Sequence, residues 1–318
     1  MDVLLRGILL WVVVACVSIQ ADKSSLKGDS PATVANADIR QQVLGQILIN
    51  EEHKFAFCPI EKVASTQFKQ LFYRISGDDL WFEPPYHKPR IPTLMDLGKE
   101  RAQAVLEDPS WIKAVIFRDP AKRMISSYLH LVLNPGTPSR YRDYLRENQR
   151  NVSWDSFVRA IVGGKKGWRN PHWDPQSSFC GLNKFWKYFN FVGNYEDIQT
   201  HGEILNRAVG ILNYTSDGWS IVRRFKSPIL KGFTPAMRRK KYIRENKLLT
   251  SNRTGDCMWC KNRAHHQNNY TVTPIASLLT LDTWKTIKNS LFYVKDYELF
   301  SQITASPFNS SLYTQFPL

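Results

Sequence analysis

Short apolar runs alternate along this chain with stretches of helical spacing. K-F-A-F-C-P at 54–59 is an apolar run closed by proline, which predicts a buried strand. Residues 65–75 (S-T-Q-F-K-Q-L-F-Y-R-I) put Phe68, Leu71, Phe72 and Ile75 on one helical face, with Ser65 or Thr66 as the expected N-cap. The same strand, turn and helix return twice. A-V-I-F at 114–117 precedes R-D-P and a helix over about 120–133, and F-N-F-V-G at 189–193 precedes a helix over about 196–211. This alternation predicts an α/β fold, a mainly parallel sheet flanked by helices on both faces.

The ends and one internal stretch depart from the rhythm. Residues 7–19 (G-I-L-L-W-V-V-V-A-C-V-S-I) follow Arg6 and are short for a spanning helix. Residues 1–21 are therefore expected to be a cleaved signal peptide or a type II signal anchor, and either places the rest in the secretory lumen. Residues 22–37 lack an apolar period and read as a stem, and 38–50 as a lead-in helix, so 22–50 leads into a single catalytic domain over 51–318. Residues 214–263 hold R-R at 223–224 and M-R-R-K-K at 237–241 and read as a basic surface excursion. Order returns with a helix at 284–292 and D-Y-E-L-F at 296–300.

Composition adds a charge argument. The 318 residues carry 43 Lys+Arg against 28 Asp+Glu, a net charge of +15, which implies anionic partners without choosing among them. Hydrophobic residues at 43% argue against wholesale disorder. A nucleic-acid binder would explain the charge but not the leader, and no zinc-finger, RRM or KH signature is present. N-x-[ST] sequons stand at Asn151, Asn213, Asn252, Asn269 and Asn309. Beyond Cys16, the cysteines Cys58, Cys180, Cys257 and Cys260 allow three pairings and suit an oxidising lumen. The lone C-x-x-C at 257–260 cannot complete a tetrahedral zinc site, so a local disulfide or two free thiols is expected there and no metal.

Two turns carry candidate chemistry. C-P-I-E-K-V-A-S-T-Q-F-K at 58–69 places Lys62, Ser65 and Thr66 where a strand end meets a helix N-terminus, which suits a phosphate. It has no Walker glycines, which argues against a P-loop kinase. R-D-P-A-K-R-M-I-S-S-Y at 118–128 repeats the arrangement, with Arg118 at the strand end and Ser126 two turns into the helix. Two successive cradles imply a ligand with two separate phosphates.

This pair resembles the 5′- and 3′-phosphosulfate-binding motifs of sulfotransferases that use 3′-phosphoadenosine 5′-phosphosulfate (PAPS). The resemblance is to the Golgi carbohydrate sulfotransferases of the chondroitin/dermatan 4-O-sulfotransferase type. Their first motif, roughly P-K-V-A-C-T-N-W-K-R, is similar to E-K-V-A-S-T-Q-F-K-Q here, and their second, R-E/D-P-F-E-R-L-V-S-A-Y, to R-D-P-A-K-R-M-I-S-S-Y. H-W-D-P-Q at 172–176, F-N-F-V-G-N-Y-E at 189–196 and Y-V-K-D-Y-E-L-F at 293–300 are also similar to family blocks, with His265, His266 and Thr271 near an H-x-T segment. The chain departs from the pattern at Glu61, where the family has Pro, and at Phe68, where it has Trp. A carboxylate beside an anion site is unfavourable unless it points away.

The resemblance implies a P-loop-like sulfotransferase fold and transfer of a sulfuryl group from PAPS to a glycan hydroxyl, without a metal. Lys62 would stabilise the leaving phosphate oxygen. Val63, Ala64, Ser65, Thr66 and Gln67 would hold the 5′-phosphate, and Arg118 and Ser126 the 3′-phosphate. His172 is the candidate general base, against a structural role beside Trp173; Asp174 and Glu196 are the other candidates. His265 or His266 would contact nucleotide or sugar. Lys165, Lys166, Arg169 and the 237–241 cluster would meet an acidic glycan or proteoglycan, with Trp168 and Trp173 against sugar faces. The location implied is the Golgi lumen, membrane-bound through the N-terminal anchor, or secreted after cleavage. The alternatives are a sulfotransferase for a non-carbohydrate acceptor and a secreted glycan-binding protein without catalysis.

Overall fold

The computed structural model describes residues 41–83, 85, 88–133, 153–164, 168–219, 234, 237, 257–259, 278 and 280–305. They belong to one compact unit, Arg40–Leu318; a second unit, Met1–Ile39, lies outside the described residues.

A short helix α1 (Gln41–Leu44) stops at Gly45, and the chain turns into strand β1 (Leu48–Asn50). The lead-in helix expected over 38–50 is corrected here: Leu48, Ile49 and Asn50 pair antiparallel with Phe57, Ala56 and Phe55 of strand β2 (Phe55–Cys58) across a tight turn. Sheet pairing outweighs the helical spacing of that segment. Helix α2 (Ser65–Ile75) follows β2, and helix α3 (Lys99–Glu107) leads into strand β3 (Ile112–Phe117). Helix α4 (Pro120–Ser127) continues into a wider π turn, Tyr128–Val132, so the single helix expected over 120–133 changes pitch midway. After α5 (Trp154–Val162) and the short α6 (Leu182–Phe185) come strand β4 (Phe191–Asn194) and α7 (Ile198–Ala208). Two C-terminal helices, α8 (Leu281–Lys288) and α9 (Val294–Ala305), complete the described chain.

The four strands lie in the order β1-β2-β3-β4, with β2, β3 and β4 mutually parallel. The sheet is mixed, mainly parallel and flanked by helices. Paired residues in register face the same way, so Phe57, Ala114 and Phe191 share one face, and Cys58, Val115 and Val192 the other. On the first face Phe57 stacks on Phe68 at 3.7 Å and Phe55 on Phe72 at 5.1 Å, which seats α2. Phe68 therefore fills a buried place against the strand, bounded also by Trp259. On the same face Gly193 lies against His201 of α7, where a Cβ would also strike Ile116. On the opposite face Phe117 meets Trp186 edge-on, and Cys58 is bonded to Cys180.

That disulfide spans 122 residues and ties β2 to the segment following His172. Cys257 is also disulfide-bonded. Trp168 and Trp173 sit in a second core with α4, α5 and α8, at 2% and 1% exposure. Their expected contact with sugar faces is therefore corrected: burial against Phe157 and its neighbours removes both rings from any ligand. Among the described residues no helix is long and apolar enough to cross a membrane. The leader, the 237–241 cluster except Met237, Lys165, Lys166, His265, His266 and Thr271 fall outside them.

Candidate active site

The first cradle grows from the end of β2. Pro59 ends the ladder, and the chain passes through Lys62 at φ 69° and Ala64 at φ 57°, both left-handed. For residues other than glycine this conformation costs about 1–2 kcal/mol each. Alternating handedness turns successive backbone N–H groups to one side and forms an anion-binding concavity. Ala64, not Ser65 or Thr66, is the N-cap of α2, and no side chain caps it. The first N–H groups of α2 therefore remain available to an anion, reinforced by the helix dipole. Val63 and Ser65 are buried, Gln67 is half-buried and Thr66 is exposed.

Glu61 is turned onto α2. Its carboxylate accepts from the Ser65 hydroxyl at 2.8 Å and pairs with Lys69 at 3.0 Å. Burial pushes this carboxyl up, but the Lys69 ammonium and the two hydrogen bonds prevail and hold it below the usual range. The Ser65 hydroxyl proton, expected to serve a phosphate, is thus given to Glu61 here.

The second cradle begins where β3 ends. Asp119 caps α4 by accepting from the Lys122 N–H, and Pro120 occupies the first turn. The Arg118 backbone is clamped on both sides by the Gln176 amide, N–H to Oε1 at 3.0 Å and Nε2 to carbonyl at 2.7 Å. Its guanidinium lies over the Tyr195 ring at 4.6 Å and donates from Nη1 to the Lys62 carbonyl at 3.2 Å. The cradles are thereby in direct contact. The buried Arg118 Nε has no hydrogen-bond partner; Glu196 stands 3.6 Å away, too far to be one. Ser126 is half-buried and lies on the second turn of α4.

His172 occupies a turn braced from three sides. Its Nδ1 and its backbone N–H both meet Asn170 Oδ1, at 2.8 Å and 3.0 Å. An oxygen that accepts the backbone N–H also accepts from Nδ1, which leaves the lone pair on Nε2. The His172 carbonyl accepts from Ser127 Oγ at 2.6 Å. From the tail, Tyr293 donates to the Trp173 carbonyl, and Asp296 accepts the backbone N–H groups of Gln176 at 2.6 Å and Ser177 at 2.8 Å. Asp174 is engaged by Arg169 at 2.8 Å, and Glu196 by Arg118, Lys122 and the Asp119 N–H.

The electrostatics make one unit of these groups. Burial pulls Lys62 down to about 7; Glu61 pulls it back, and Arg118 and Arg123 add to the fall. Burial and the Lys62 charge, opposed by Glu61, bring His172 down to about 4. His172 is therefore neutral at pH 7, and an arriving anion raises the basicity of both groups. The structure brings Lys62 to Gln67, Arg118, Ser126 and His172 around the carboxyl ends of β2 and β3.

Sequence reasoning missed three supports: Arg123, Gln176 and the Tyr293–Asp296 pair. All lie inside the motif blocks quoted above, at positions whose partners are 48 to 120 residues away. Among the described residues no group of His, Cys, Asp and Glu is placed to hold a metal ion.

Comparison with known proteins gives a consistent picture. A profile described as the sulfotransferase family matches residues 45–301. The chain is 24% identical to carbohydrate sulfotransferase 14 of Danio rerio over 54% of this chain and 50% of the relative. It is 21% identical to carbohydrate sulfotransferase 11 of Rattus norvegicus over 54% of each, and 23% identical to carbohydrate sulfotransferase 10 of Danio rerio over 58% and 57%. The matched stretch spans about half the length of these curated relatives. No solved structure matches. With the match covering β1 through most of α9, the chain belongs to the sulfotransferase family.

Proposed function

We propose that this protein transfers a sulfuryl group from PAPS to a hydroxyl of a glycan, acidic glycans being the acceptors its charge favours. The observation that carries the reading is the Arg118–Lys62 contact, which makes one two-site anion receptor of two strand-end cradles. The 62–67 loop supplies backbone N–H groups for the 5′-phosphosulfate, and Arg118 and Ser126 serve the 3′-phosphate. The buried Arg118 Nε is ion-paired with Glu196 at 3.6 Å but makes no hydrogen bond, which a phosphate oxygen would supply.

In the reaction the acceptor oxygen forms a new bond to sulfur as the bond from sulfur to the phosphate oxygen breaks. Lys62, protonated by the field of the bound anion, stabilises charge on the departing phosphate oxygen. Nε2 of His172 takes the acceptor proton, and Asn170 holds the ring in the tautomer that allows it. The long-range Cys58–Cys180 disulfide supports an oxidising compartment, and we place the chain in the Golgi lumen, anchored as a type II protein or released by cleavage.

The test is calorimetric titration of the purified full chain with 3′-phosphoadenosine 5′-phosphate and with ATP. Micromolar or tighter binding of the bisphosphate, weaker ATP binding, and loss of the former in Arg118→Ala are expected. Absent bisphosphate binding by folded protein would overturn the enzyme reading and favour a glycan-binding protein on an inherited scaffold.

A further inference from the structure

We infer that Arg123 is a positioning residue for the donor loop: from the inner side of α4, the helix of the second cradle, it fixes the backbone of the first. The side chain is 1% exposed. Its Nε donates to the Glu61 carbonyl at 2.8 Å, Nη1 to the Asp174 carbonyl at 2.7 Å and Nη2 to the Pro171 carbonyl at 2.7 Å. Glu61 immediately precedes the left-handed Lys62, so the Nε bond sets where the anion concavity begins. The other two bonds hold the turn that carries His172. One helical turn further on, Ser127 adds its bond to the His172 carbonyl.

All three acceptors are peptide carbonyls, and among the described residues Arg123 forms no ion pair. Peptide dipoles stabilise its charge at contact distance, Tyr293, Asp296, Glu61 and Asp174 act on it from further off, and its field reaches Lys62. The groups acting on Lys62 are Glu61, Arg118 and Arg123, with His172 beside them. Arg123 thus acts on Lys62 through the Glu61 carbonyl and through its own field. This inference rests on the donor-binding reading above.

Arg123→Lys keeps the charge but lacks a donor at the Nε position, so it releases the Glu61 carbonyl. Arg123→Met removes charge and donors together. The full chain and both variants are melted, then titrated with 3′-phosphoadenosine 5′-phosphate from pH 6 to pH 9. Arg123→Lys is expected to melt cooperatively and to bind about tenfold more weakly, as the loss of one charged hydrogen bond implies. Affinity falls with rising pH as Lys62 loses its proton. That fall is expected at the parental pH in Arg123→Lys and at higher pH in Arg123→Met. Packing alone would not move it.

Parental affinity in folded Arg123→Lys overturns the inference, as does an unmoved pH profile in folded Arg123→Met. A lysine variant that no longer melts cooperatively makes Arg123 a folding residue and also overturns it. If Arg123→Met does not melt cooperatively, the lysine variant decides alone. A folded parent that binds no bisphosphate defeats the donor-binding reading and this inference with it; a parent that binds while the lysine variant matches it defeats this inference only.

Discussion

Lys62 sits half-buried in a left-handed conformation, and burial with the charges of Arg118 and Arg123, opposed by Glu61, disfavours a resident ammonium. The unfolded chain holds the proton up to the ordinary lysine range, while the folded chain loses it at about 7. The cost to folding is therefore fully present below about 7 and is relieved as pH rises through that window. A bound dianion reverses the balance. We expect bisphosphate binding at pH 8 to take up protons, read as a difference in binding heat between Tris and HEPES buffers. Equal heats would show that Lys62 is not the group engaged. Lys62→Ala should abolish sulfuryl transfer while leaving the melting curve cooperative. His172→Ala should slow transfer by about 100-fold or more, within the range for a lost general base, with bisphosphate affinity retained. Unchanged turnover would move the base elsewhere. Lys62, Arg118 and His172 were legible in the sequence because a charge at a strand end or a histidine in a motif states its chemistry locally. The Ser65–Glu61 bond and the Arg123 grip were not, because nothing in a residue's own neighbourhood tells which carbonyl it will meet.

Elements place these residues by their ends more than by their bodies. Arg118 is held by the last hydrogen bonds of β3 and by Gln176, whose amide substitutes for a neighbouring strand. Gln176→Leu should orphan one N–H and one carbonyl, costing about 1–3 kcal/mol for each group left buried and unpaired. It should also weaken bisphosphate binding; a denaturant melt and a titration check both. Arg118→Ala should cost about 2–5 kcal/mol of binding free energy, the range for a desolvated charge contact. Strands β2, β3 and β4 and the helices after them could be read from apolar runs and helical spacing, within a few residues of where they fall. Strand β1 could not: its three residues fit a helix as well as a strand, and only pairing with Phe55–Phe57 decides. The N-cap of α2 was misplaced for a related reason. Ser65 has the chemistry of a cap, but the left-handed Ala64 moves the cap one residue earlier.

At the scale of the molecule, one covalent bond and one tail keep the site together. Closing a loop of 122 residues, Cys58–Cys180 removes denatured-state entropy worth on the order of 4–5 kcal/mol. Cys180→Ala, or reduction of the intact protein, should lower the melting temperature and weaken bisphosphate binding in parallel. A melting temperature unmoved by reductant would mean the packing of β2 needs no such tie. The pairing was one of three that cysteine spacing allowed, and only the topology selects it. The tail was legible as a motif but not as a brace, because its role depends on meeting Gln176 from 120 residues away. That separation also orders events during synthesis. Both cradles are complete in sequence by Ser127, whereas Tyr293 and Asp296 emerge from the ribosome long afterwards. A growing chain therefore displays both strand-end cradles long before Gln176 can clamp Arg118 and Asp296 can brace Gln176, so the cradles wait on the tail for their final geometry.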